Sequence, residues 1–428
     1  MITPRKSLSL RCAALALTVS FLPNAHAESS SGSASRKGAF VPTVEVVHFW
    51  ISQSENKALN VYRQGWKGLG GKWNDLPVKD KDAELKLVTD RIANGYPSTV
   101  MQWNANEGSK ELPAMGVVQD IEEVAAADRW RDFLPENVVD QISYKGRIYF
   151  APTNIHAENW LWTNKKIFDK LKLPVPTSWD NLLDSAAKIK AAGYTAVALG
   201  SGTWEISLIF NDILYSLYGH AGYTRLMSGS DPKAAMKPEM VKALGILRQI
   251  SAFAEPDRSG KTWADATLSV GRGKAGMQFM GDWAKGEMTE AGLAADKDFR
   301  CTLAPGTESV YFVVVDAFAF PVTNNEQDRR SQFLFARQVM NTDNQLAFNR
   351  IKGSIPVRTD IQRNHLDSCG KIGLDLMSRK GGQVSAQSMT MPSQMSQGWI
   401  DVVADFFNDP KMTPSSAQRQ LADVLSQK

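Results

Sequence analysis

Cysteine and histidine are scarce in this chain: three and five among 428 residues, with neither type gathered into ligand spacing. His26 belongs to an N-terminal export segment, and His48, His156, His220 and His365 are scattered, so no metal site is expected. There is no Gly-x-Ser-x-Gly elbow, which argues against a serine hydrolase. The glycine-rich stretch Gly200-Ser201-Gly202-Thr203-Trp204 lacks both a P-loop lysine and a dinucleotide spacing, so neither a nucleotide nor any other cofactor is expected. A net charge is nearly absent as well, with 49 basic residues against 45 acidic ones. Without the three basic residues Arg5, Lys6 and Arg11 of the export segment, the formal charge falls from +4 to +1, implying no nucleic acid or other polyanion partner. Beyond that segment no apolar run is long enough to span a bilayer; Val313–Pro321 reads as a buried strand.

What is present begins with a secretory pattern. A basic start, an apolar centre from Ala13 to Leu22 and the small-x-small end Ala25-His26-Ala27 predict a signal peptide over residues 1–27. Cleavage after Ala27 would deliver the chain to the periplasm. Cys12 lies inside that segment without a lipid-attachment box, and residues 28–40 read as a disordered leader. The remaining pair, Cys301 and Cys369, suggests a disulfide in an exported protein, with two buried free thiols as the alternative. About 400 mature residues suffice for two domains.

The stretch Val44–Glu55 organises the rest. A β-branched run feeds the loop Phe49-Trp50-Ile51-Ser52-Gln53-Ser54-Glu55, and Leu59, Tyr62, Trp66, Leu69 and Trp73 continue at helical spacing. Ligands sit beyond the carboxyl ends of strands in open α/β sheets. That loop offers aromatic, hydroxyl, amide and carboxylate groups suited to a neutral polyol. Glu55 also completes a Ser52-x-x-Glu55 capping box, so it reads as a ligand contact or a helix cap. Of Phe49 and Trp50, Trp50 is expected to face the crevice and Phe49 the core. Gln102 and Asn104 share one face of a second strand, as ligand groups or as loop-cap amides. Trp204, Asp282 and Trp283 follow further apolar strands, with ordinary core as the alternative for Trp283. Asp316 interrupts an apolar strand and needs a partner or a ligand. Lys352 lies at a helix end marked by Gly353.

Taken together, His48-Phe49-Trp50 to Glu55, Asn154-Ile155-His156 to Asn164-Lys165, Gly273–Met277, Met280–Ala284, Asp316 and Lys352–Arg358 resemble the periplasmic sugar-binding proteins of bacterial ABC importers, most closely the glucose/mannose-binding branch. The resemblance implies an α/β fold of two discontinuous lobes joined by hinge segments. Residues 41–153 and 312–357 would form one lobe, and residues 154–311 and 358–428 the other. It further implies a neutral mono- or small oligosaccharide held by Trp50, Glu55, Gln102, Asn104, Trp283, Asp316 and Lys352, and the loop positions of Trp204 and Asp282 make them further candidates. A membrane permease is the implied partner, and the protein would be a monomer. Phe49 stands where the branch has tryptophan, Asn104 where it has a basic or imidazole group, and Ser388-Met389-Thr390 lacks its histidine; a sugar other than glucose is therefore expected. The competing readings are an exported sugar-acting enzyme, with Glu55, Asp282 and Asp316 supplying paired carboxylates, and a passive scaffold without a ligand.

Overall fold

A computed structural model describes residues 40–229 and 231–426. The expected signal peptide, its cleavage site and nearly all of the leader lie outside the described residues. From Val41 onward the described residues form one compact unit. Its strands are β1 (Thr43–His48), β2 (Lys72–Pro77), β3 (Val100–Asn104), β4 (Ser143–Tyr144), β5 (Arg147–Ile148), β6 (Phe150–Ala157), β7 (Trp160–Asn164), β8 (Thr195–Val197), β9 (Ala275–Phe279), β10 (Phe299–Leu303), β11 (Tyr311–Ala319) and β12 (Gln383–Ser385).

Two mixed sheets divide them. The first runs β12-β11-β3-β1-β2 with β6 also on β11, and the second runs β10-β7-β9-β8; β4 and β5 make a small hairpin. Strand β1 lies parallel to β2 and β3, whereas β11 runs antiparallel to β3 and β6. Strands β6, β7, β9 and β11 are buried at every position, as strands covered on both faces must be. The chain leaves the first sheet after Ala157 and enters the second at Trp160, so this crossing falls a few residues beyond the expected break at 154. It returns between Leu303 and Tyr311. Strand β12 joins the first sheet beside Tyr311–Val313, although its sequence was expected among second-lobe residues.

One expected element is shorter than its apolar spacing suggests. The helix Gln53–Gly68 buries Leu59, Tyr62 and Trp66, but it stops before Trp73, which belongs to β2. Glycines 68, 70 and 71 account for the stop: Gly70 takes φ +71°, and a Cβ at Gly71 would meet the Trp66 ring.

The expected disulfide is present. Cys301 on β10 and Cys369 on the helix Ser368–Met377 are bridged across 68 residues of sequence. It ties the second sheet to a helix more than sixty residues further along the chain.

Candidate functional site

The site is built where the strand ends of both sheets and three helix ends meet. Ser52 caps the helix Gln53–Gly68: its side chain accepts from the Glu55 amide, and Glu55 returns a bond to the Ser52 amide. The same Glu55 carboxylate accepts from Lys352 Nζ at 2.9 Å. Cap and polar contact are thus one residue. Lys352 closes the helix Thr342–Lys352, and Gly353 ends it at φ +94°, where a Cβ would strike the Asp282 carbonyl at 2.4 Å. Only glycine lets these two segments lie so close.

Asp316 occupies the middle of β11. Its Oδ1 accepts from Asn104 Nδ2 at 2.7 Å, its Oδ2 accepts from Asn154 Nδ2 at 3.2 Å, and His156 Nε2 stands 3.2 Å from that oxygen. The other ring nitrogen of His156 bonds Asp282, which also accepts from Tyr311 Oη at 2.9 Å and from the Ala157 amide at 3.3 Å. A buried imidazole therefore bridges two buried carboxylates. Burial lowers the basicity of His156, but Asp282 and Asp316 outweigh it and raise its pKa above the ordinary value. Burial likewise opposes the charge on Asp316, yet His156, Lys352 and Asn154 hold its carboxyl below the usual range. Lys352, penalised by burial, is held above its ordinary value by Glu55, Asp316 and Asp282.

Aromatic surface flanks this network. Trp283 begins a helix directly after Asp282, and its ring meets His156 edge-on at 5.2 Å between centroids. Trp204 lies 6.2 Å from Trp283, and both indoles are only partly buried. Gly281 makes room for the Trp283 ring, which a Cβ there would meet at 2.2 Å. The glycine-rich loop before Trp204 is likewise structural, because the amides of Gly200 and Gly202 donate to Glu205. Among the described residues no cluster of His, Cys, Asp or Glu could hold a metal ion.

The structure thus gathers Glu55, Asn104, Asp282, Trp283, Asp316 and Lys352, with Trp204 beside Trp283. Two sequence expectations change. Trp50 is 2% exposed and packs on Phe318 and Phe348, whereas Phe49 stays half-buried. Strand β1 ends at His48, so strict alternation no longer governs the next two side chains, and the larger ring fills the apolar space. Trp50 still supports the network from beneath, with Lys352 Nζ 5.4 Å from its ring centroid. Gln102 is fully buried, and among the described residues its amide has no hydrogen-bond partner. Sequence reasoning overlooked Asn154, His156 and Tyr311 as site residues. The Asn154-Ile155-His156 triplet carried that signal, since polar residues two apart in an apolar strand share a face.

Residues 67–338 match the family of bacterial extracellular solute-binding proteins. The chain belongs to that family. It is 32% identical to a probable sugar-binding periplasmic protein of Mesorhizobium japonicum, over 96% of this chain and 97% of the relative. A second such protein, from Brucella suis, is 30% identical over 99% of both chains. Among solved structures, a chitin oligosaccharide binding protein superposes with a TM-score of 0.78 at 15% identity, covering 90% of this chain and 98% of that one. The fold is accordingly the two-lobe α/β fold of solute-binding proteins, and the family is not one of enzymes.

Proposed function

We propose that this solute-binding protein clasps a neutral mono- or small oligosaccharide between its lobes in the periplasm and delivers it, as a monomer, to the permease of an ABC importer. The observation that carries the reading is the pairing of two kinds of group at the junction of the sheets. Buried carboxylates, amides and an ammonium can exchange hydrogen bonds with hydroxyls, each contributing about 1 kcal/mol net and charged ones somewhat more. The half-exposed rings of Trp204 and Trp283 offer faces for the C–H side of a sugar. The curated relatives' names agree with this chemistry. Residues 41–153 with 312–357, and 154–311 with 358–428, are the proposed lobes, adjusted so that the chain crosses after Ala157 and Gln383–Ser385 goes with the first sheet. Bonds from Glu55, Asn104 and Asp316 on one lobe and Asp282 on the other would form together only when the lobes close.

A thermal-shift panel of neutral sugars tests the proposal. A true ligand at a hundredfold over its dissociation constant stabilises the protein by about 2.7 kcal/mol. No shift with any sugar, or release of product from an aryl glycoside, would overturn it.

A further inference from the structure

A second set of buried polar groups lies beside the network and takes no part in it. The helix Thr203–Met227 carries Trp204, Ser207 and Asn211 on one stripe, spaced i, i+3 and i+7. That stripe runs from Trp204, beside Trp283, for two turns or about 10 Å. Ser207, Asn211 and the adjacent Asp212 are each 2% exposed or less. Among the described residues the Ser207 hydroxyl, both polar atoms of the Asn211 amide and both oxygens of Asp212 lack a hydrogen-bond partner. Leaving such groups unmatched costs about 1 to 3 kcal/mol apiece, and five such atoms on consecutive turns of one helix are hard to explain as packing alone.

Glu158 connects the two sets. It follows β6 two residues after His156, is 8% exposed, and accepts from Ser388 Oγ at 2.8 Å. The Ser388 carbonyl in turn accepts from Asn106 Nδ2 at 3.1 Å, just beyond β3 of the first sheet. Glu158 lies near enough to Asp212 to oppose a charge there. Burial raises Glu158 to about 7, and burial with Glu158 alongside raises Asp212 well above the carboxylate range. The Ser207 hydroxyl and the Asn211 amide can each donate and accept, so this region suits a ligand rich in hydroxyls.

We propose that Ser207, Asn211 and Asp212, with Glu158, form a second hydroxyl-reading subsite, and that the ligand is a neutral saccharide of at least two rings. One ring would lie against Trp204, Trp283 and the His156 network, and the next would reach the helix stripe, whose polar atoms are sealed in this structure and must be uncovered to receive it. The inference rests on the proposed saccharide binding and specifies its length.

Calorimetry on the mature, disulfide-bonded protein tests it, with glucose, galactose and mannose against maltose, cellobiose and lactose. The tightest ligand should have two rings. Asn211→Leu should weaken it at least tenfold more than it weakens any one-ring sugar, and Asp212→Asn, nearly isosteric, should act in the same direction if the first variant folds poorly. Removing an unmatched buried amide should leave the melting temperature of the ligand-free protein unchanged or higher. One-ring sugars binding as tightly as every two-ring sugar, or both variants leaving the ratio of affinities untouched, would overturn the subsite while leaving the proposed function standing. No binding by any of the six sugars would remove both.

Discussion

His156 is held at both ring nitrogens by carboxylates, Asp316 within the first sheet and Asp282 just after a strand of the second. Its raised pKa means that the imidazolium favours the folded state fully below the ordinary value of 6.5, and that this contribution is lost as pH rises through the higher folded-state value. Asp316 has the opposite sign: its depressed pKa stabilises the fold above 3.8 and stops doing so as pH falls through the folded-state value. The melting-temperature advantage of wild type over His156→Asn should therefore be greatest near about pH 5.5 and shrink toward about pH 9; an advantage constant over that range would show that the ring is held neutral. Asp316→Ala removes the acceptor of Asn104 and Asn154 and a negative charge beside His156 and Lys352, and should destabilise the apo protein by about 3 to 5 kcal/mol. The two tryptophan positions should behave differently. Trp50→Ala opens a cavity beneath Lys352 and should cost about 3 to 5 kcal/mol of stability in denaturant melts, whereas Trp283→Ala should weaken sugar binding much more than it lowers the apo melting temperature. The sequence showed polar residues at Glu55, Asn104, Asp316 and Lys352, but not that they bond one another, because those partnerships span up to 297 residues.

At the scale of elements, local signals were sufficient wherever a cap or a glycine decides. Ser52-x-x-Glu55 and Gly353 mark helix ends in the sequence and do so in the structure. Strand β2 was missed because Trp73 continues a helical spacing across glycines that break the helix. The placement of β12 in the first sheet was likewise hidden, since a three-residue strand leaves no periodicity and is set by pairing with β11. The disulfide is the testable cross-link at this scale. Closing a loop of its length stabilises the fold by about 4 kcal/mol in the chain-entropy model. Denatured, unreduced mature protein should contain no titratable thiol, and reduction should lower the melting temperature by several degrees; two free thiols before reduction would contradict the bridge.

Across the whole molecule, the helix after β1 in the first sheet meets the helix after β9 in the second. Glu287 Oε1 accepts from the Ser54 amide at 3.0 Å and from its hydroxyl at 2.5 Å, a buried carboxyl group at a helix N-terminus, while Lys57 bonds Glu290 nearer the surface. If the lobes part to admit a sugar, these bonds must break. Glu287→Ala should therefore speed ligand release several-fold in stopped-flow measurements, whereas Glu290→Ala, at an exposed pair, should change it little; equal effects would separate Glu287 from the motion. The two half-exposed indoles also give the molecule an optical property. Of its twelve tryptophans, eight are buried, and Trp204 and Trp283 form a neighbouring pair at the proposed sugar face. A sugar stacked on that pair would exchange water for carbon at two emitters while the interior ones stay dark to the change, so the unlabelled protein should report its own occupancy through the colour and intensity of its ultraviolet emission.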